Sequence, residues 1–158
     1  MSVPLIGQSY RGVDGRSGYL LRQAWMALQS AMETVLREHG LTAVQYGVLT
    51  VLAREPGASG ADLARACHTT PQAMNGVLAT LERESLIGRE PHPTHGRILQ
   101  VNLTSEGERR LEAAHPAVRG GLHREIERDF TPEEIATVKT WLVAAAQRME
   151  RLTQSRAA

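Results

Sequence analysis

A mainly α-helical chain with one small β-ribbon is what this sequence predicts, and three observations predict it. Apolar residues recur at helical spacing along several stretches. Serine or threonine stands at the N-cap position ahead of most of those stretches. Between Ser59 and Thr104 the pattern passes from two short helices to a pair of extended runs. Helix, turn, helix and ribbon in that order make a winged helix-turn-helix, a fold that presents its second helix to double-stranded DNA.

The elements follow in chain order. Residues 1–16 hold Pro4, Gly7, Gly12 and Gly15 with no sustained period, which predicts a flexible arm whose Arg11 and Arg16 are solvated charges. Ser17 is placed to cap a long helix ending near His39, with Gly40 at the C′ position and an apolar stripe of Leu21, Ala24, Trp25, Leu28, Met32, Val35 and Leu36. Thr42 and Gln45 have the spacing of a capping box, Leu41 and Tyr46 that of a hydrophobic staple. Val48, Leu49 and Leu52 continue this second helix until Glu55-Pro56-Gly57 stops it.

Ser59 and Asp62 open a short helix over Gly60 to Ala66, and Cys67-His68-Thr69 makes a turn. Thr70 caps the next helix, whose first residue is Pro71, where a missing N–H costs nothing. Met74, Val77, Leu78 and Leu81 form its inward stripe, and Gln72, Ala73, Asn75, Gly76 and Ala79 lie off it. Leu86 to Glu90 and Arg97 to Leu103 are the two strands of the ribbon, joined by Pro91-His92-Pro93-Thr94-His95-Gly96. Helical pattern resumes at Thr104 through Leu111, Val118, Leu122 and Ile126, with Pro116 and Gly120-Gly121 kinking or splitting it. Thr131, Pro132 and Glu134 supply cap, first-turn proline and N3 carboxylate for a last helix striped by Ile135, Val138, Leu142, Ala145, Met149 and Leu152.

Leu81-Glu82, Leu86-Ile87-Gly88-Arg89, Arg97 and Leu103-Thr104-Ser105-Glu106-Gly107 together resemble the MarR family of bacterial transcription regulators. The most specific feature is a strand ending in Leu-Thr-x-x-Gly and running into a long helix. The resemblance extends over roughly Ser17 to Leu152. It implies a dimerisation region from residues 17–40 and 105–158, with a winged DNA-binding domain over 41–104. It also implies a homodimer on a pseudo-palindromic operator, and release by a small aromatic or phenolic acid held between the helical base and the winged domain. Arg97 stands where a MarR wing carries the arginine of its Asp-x-Arg motif, but His95 replaces the aspartate, and Gly76 stands where many relatives have arginine.

Composition sets the bounds. The 158 residues suit one domain with helical extensions, and an apolar share of 42% is enough for a core. There is no apolar run of ~18 residues to span a membrane. No secretory h-region is visible, and a lone cysteine fits a reducing cytoplasm; the resemblance implies a bacterial, nucleoid-associated protein. The charge does not itself argue for DNA. Net charge is +1, and Arg65, Arg83, Arg89 and Arg97 are matched by Asp62, Glu82, Glu84 and Glu90 between Gly60 and Thr104.

The DNA-contacting set expected from this pattern is Thr69, Thr70, Gln72, Ala73, Asn75 and Gly76 on the second helix and its turn, with Arg65, Arg89, His95 and Arg97 around it. Gln72 and Asn75 carry the amides that pair with adenine, and an arginine in the wing enters the electronegative minor groove. Arg22, Trp25, Met32 and Tyr46 lie on segments facing the implied effector cleft. Their alternative role is plain core and surface. Cys67 follows Leu63 and Ala64 at helical spacing, which favours a buried structural thiol over a redox sensor. His68, His92 and His95 lack the paired spacings of a zinc site, and no cofactor is called for. Catalysis is disfavoured, since no phosphate loop, paired carboxylates or nucleophile elbow accompanies Cys67, His68 and His92. A winged helix that docks protein instead of DNA is the remaining alternative, kept open by the near-neutral winged segment.

Overall fold

The computed structural model of the chain describes residues 3–91 and 99–157. It divides into two units, Met1–Leu122 and His123–Ala158. In the first, α1 spans Ser17–Arg37, α2 Ala43–Arg54, β1 Ala58–Ser59, α3 Gly60–Ala66, α4 Pro71–Arg83, β2 Ile87–Pro91, β3 Leu99–Leu103 and α5 Ser105–His115. A π-helical segment over Pro116–Leu122 follows. The second unit holds α6, His123–Glu127, and α7, Pro132–Ala157.

Local chemistry sets most helix starts. Thr42 Oγ1 accepts from Gln45 N–H at 3.2 Å while Gln45 Oε1 accepts from Thr42 N–H at 2.8 Å, a closed capping box. Ser59 and Asp62 repeat it, as do Thr131 and Glu134. Ser17 does not cap α1: Arg16 occupies the N-cap position without a side-chain hydrogen bond, and Ser17 is the first helical residue. Three helices end alike. Gly40, His68 and Ser85 each take a positive φ just past α1, α3 and α4, at 65°, 50° and 59°. The chain then returns two hydrogen bonds to the last turn, such as Leu86 N–H to Leu81 O at 2.9 Å.

The described part of the arm, residues 3–16, makes specific contacts where the sequence pattern shows no regular period. A short 3-10 turn over Ser9–Arg11 places Arg11 against α1, where its Nε donates to Gln23 Oε1 at 2.8 Å. Arg11 Nη1 donates to Pro4 O at 2.9 Å, and Gln23 Nε2 returns a bond to Arg11 O at 3.1 Å. Arg11 is therefore a clasp between arm and helix, not a solvated charge.

The ribbon is a three-stranded antiparallel sheet in the order β1-β3-β2, not a two-stranded one. Ala58 and Ser59, ahead of the α3 helix, pair with Val101 and Gln100. The other pair runs from Ile87–Leu103 to Pro91–Leu99. The core lies between sheet and helices: Leu36, Val48, Leu49, Leu63, Met74, Leu81, Leu86, Val101 and Leu111 are buried. Gly107 fixes the approach of α5 to this core, because a Cβ there would collide with the carbonyl oxygen of Leu86. Thr104 tightens the same joint. Its Oγ1 donates to Ser85 O at 2.6 Å and accepts from Gly107 N–H at 3.0 Å, while its N–H donates to Leu86 O at 3.1 Å.

The second unit buries no side chain among its described residues. Val138, Trp141, Leu142, Met149 and Leu152 on α7 stay exposed, as do Ile126 and Phe130. Arg128 pairs with Glu125, and Lys139 reaches Glu127 at 2.7 Å.

Candidate nucleic-acid interface

The outward face is built by α3, its turn and α4. Met74, Leu78 and Leu81 are buried, which orients α4 so that Gln72, Ala73, Asn75, Gly76 and Ala79 are exposed. Thr70 Oγ1 accepts from Ala73 N–H at 3.2 Å, closing the helix start and leaving the hydroxyl proton free to donate. Thr69 is half-buried, and its N–H donates to Ala64 O at 2.9 Å. Pro71 at the first helical position takes up no backbone donor.

The amides are not equivalent. Asn75 Oδ1 lies 4.0 Å from where a Cβ on Gly60 would sit, next to Leu78 Cδ1 at 3.4 Å, so Asn75 stands at the α3–α4 crevice. Gln72 is one turn nearer the helix tip. Gly76 faces open space, with nothing within 4 Å of the point a Cβ would occupy.

The arginines flanking this face are already engaged. Arg65 pairs with Asp62, whose carboxyl is held below its usual range by the Ser59 hydroxyl, then by the Ser59 N–H, with Arg65 adding to the effect. Arg89 on β2 stands 3.1 Å from Glu82 on α4 as an ion pair, without the alignment of a hydrogen bond from its Nε. The i,i+3 spacing of Asp62 and Arg65 on α3 announces the first pairing, whereas nothing local in the sequence reveals the second. His95 and Arg97, and His92 with them, lie outside the described residues.

Of the four expected effector residues, one borders the arm hollow and the other three do not. Arg22 borders an open hollow of about 350 Å³ between arm and α1, with Ile6, Arg11, Tyr19, Gln23, Met26 and Ala27. Trp25 is 53% exposed and does not border it. Met32 packs against the core, and Tyr46 is buried with its hydroxyl 3.0 Å from His115 Nδ1, joining α2 to the end of α5. Burial pushes the His115 imidazole down, the Arg119 guanidinium adds to this, and Glu112 opposes it. Tyr19, Ile6 and Met26 escaped the sequence pattern because the arm that makes the hollow with α1 was expected to be flexible.

Cys67 is half-buried, with its Sγ 3.7 Å from where a Cβ on Gly47 would sit, and burial pushes its thiol pKa up. That favours the unreactive protonated form. Among the described residues no cluster of histidine, cysteine and carboxylate is arranged for a metal ion, and no helix is long and apolar enough to cross a membrane.

Comparison with known proteins agrees with this architecture. A MarR family model matches residues 39–98. The HTH-type transcriptional repressor Rv2887 of Mycobacterium tuberculosis is 35% identical over 121 residues, covering 77% of this chain and 87% of that protein. The homoprotocatechuate degradative operon repressor of Escherichia coli is 33% identical over 116 residues, covering 73% and 77%. The solved structure of Rv2887 with p-aminosalicylic acid superposes with a TM-score of 0.66 at 31% identity, covering 83% of this chain and 98% of that one. The repressor CouR, solved on a 23-mer DNA duplex, shares the fold at a TM-score of 0.79 and 20% identity, covering 88% and 98%. With an outward helix-turn-helix face, a sheet-based wing and relatives of this identity and coverage, the chain belongs to the MarR family.

Proposed function

We propose that this chain is a transcriptional repressor that binds a pseudo-palindromic operator as a homodimer and releases it when a small aromatic acid binds. The observation that carries the reading is α4: a capped helix held by three buried side chains, with an uncharged face of amide, methyl and bare backbone turned outward. Gln72, Ala73, Asn75 and Gly76 meet base edges, and Thr69 and Thr70 meet phosphate beside the helix start. Arg65 and Arg89 contribute only by exchanging Asp62 and Glu82 for phosphate. His95 and Arg97 would serve the adjacent minor groove. CouR's complex with a DNA duplex and the repressor names of the relatives support this assignment.

Dimerisation through residues 17–40 and 105–158 is supported by apolar side chains left in the open on α1 and α7, including Trp25, Trp141 and Leu142. The complex of Rv2887 with p-aminosalicylic acid supports an aromatic acid as effector. In this chain the arm hollow offers Arg22 as the charged anchor and Tyr19 and Met26 as apolar wall. Action is at the bacterial nucleoid, in the cytoplasm.

The test is enrichment of bound duplexes from random DNA by the full-length protein, followed by salt titration of the winners. A two-fold-symmetric consensus whose affinity falls steeply with salt, and falls again with p-aminosalicylic acid, is expected. Salt-insensitive retention without a consensus would replace DNA by a protein partner.

A further inference from the structure

The surface of α4 carries more than an assignment to DNA: its chemistry selects bases. Every charged residue of the helix lies in its last turn, at Glu82 and Arg83. From Pro71 to Leu81 the exposed residues are Pro71, Gln72, Ala73, Asn75, Gly76 and Ala79, none of them charged. Guanine is read in the major groove chiefly by a guanidinium or ammonium spanning O6 and N7, and cytosine by a carboxylate that accepts from N4. The first two and a half turns of α4 supply neither group. Glu82 is occupied by Arg89. Arg83 stands eleven residues beyond Gln72, about 17 Å along the axis at the helical rise, away from the end that enters the groove.

The groups that are present favour the other pair. The Gln72 amide offers donor and acceptor together, which match adenine N7 and N6. Ala73 and Ala79 present methyl groups, the surface that meets the thymine C5-methyl. Gly76 leaves bare backbone between them and nothing within 4 Å, so the helix can seat closely against those methyls. Asn75, whose Oδ1 comes near Gly60, is exposed one turn after Gln72 and offers a second amide that suits adenine.

Resting on the assignment of this chain as a DNA-binding repressor, we infer that α4 specifies an A·T-only core in each operator half-site, through Gln72 on adenine and the Ala73–Gly76–Ala79 surface on thymine methyls. The same surface predicts where specificity can be rewritten. Gly76 sits in mid-helix where an added Cβ meets nothing within 4 Å, so Gly76→Arg can add a guanidinium to the outward face.

The experiment enriches random duplexes with the full-length protein, Gln72→Ala and Gly76→Arg, and then replaces individual pairs in the best site. For the native chain, a G·C pair placed in the core should weaken binding about tenfold or more, and Gln72→Ala should erase most of that discrimination at one step per half-site. Gly76→Arg should move one core step from A·T to G·C, and 7-deazaguanine at that step should abolish the gain. Circular dichroism and thermal melting establish that both variants fold. A native consensus with obligatory G·C pairs in the core, sensitive to 7-deazaguanine, would overturn the inference while leaving the repressor assignment intact. Failure to enrich any sequence would overturn both.

Discussion

The winged helices and α7 solve the same problem in opposite ways. Across α2 and α4 the chain buries Val48, Leu49, Leu52, Met74, Leu78 and Leu81 against one another and the sheet. The 26-residue α7 is twice as long as the 13-residue α4, yet none of its described side chains is buried. Both are amphipathic. The difference is that the stripe of α4 meets a partner within its own unit, whereas Trp141, Leu142, Val143 and Met149 face outward. Apolar area gains about 25 cal/mol per Å² when it leaves water. On the proposal that α7 dimerises, that gain would come on association, and the two regions would divide the work between folding and assembly.

The sharpest way to break this contrast is to make the same truncation on both sides. Leu49→Ala, at a fully buried position, should lower unfolding stability by about 2–5 kcal/mol in denaturant titration. Leu142→Ala should leave the denaturation of a dilute sample near native but weaken self-association in sedimentation equilibrium. Equal losses of stability at high dilution would mean that α7 is part of the monomer's core. Next in size, Gly107→Ala forces a methyl into the Leu86 carbonyl, and backbone yields less readily than a side chain. A loss of about 3 kcal/mol in the same titration is expected.

Acid should reach the first unit through His115. The imidazole pKa is lowered in the folded chain, so the unfolded chain takes up its proton first as pH falls. Its contribution is complete above the unfolded value of about 6.5 and is lost as pH drops from there through the folded value. His115→Gln should reduce the fall in denaturation midpoint between pH 7.5 and pH 5; an unchanged fall removes His115 from the acid response. The smallest effect belongs to the arm. Arg11→Ala opens an exchangeable clasp worth at most about 1 kcal/mol, and should show as faster amide exchange over residues 4–16 with a near-native midpoint.

What the sequence made legible was local. The boxes at Thr42, Ser59 and Thr131 close within three residues, so their spacing alone announces them. The stripe of α4 did the same for its outward face. Ser17 shows the limit of that approach, since the right residue type one position past the N-cap caps nothing. Longer-range features left no local trace. The strand at Ala58 exists only because Val101, more than forty residues later, pairs with it. Arg11 finds Gln23 across a turn, and Tyr46 meets His115 across 69 residues. The pairing of Arg89 with Glu82, from β2 to α4, is equally invisible to a count of charges, and it changes which cations are free to meet phosphate.

The Thr104 joint has a consequence for how the protein and a duplex accommodate each other. One threonine ties the turn after α4, through Ser85 O and Leu86 O, to the start of α5 just beyond β3, and Gly107 holds α5 flush against that turn. These contacts set the spacing between the C-terminal end of α4 and the base of the β2–β3 ribbon. On the proposed reading of α4 as the DNA-facing helix, a duplex whose groove does not match that spacing would have to bend or twist to fit. Sequences that deform cheaply will then be preferred at base pairs no side chain touches.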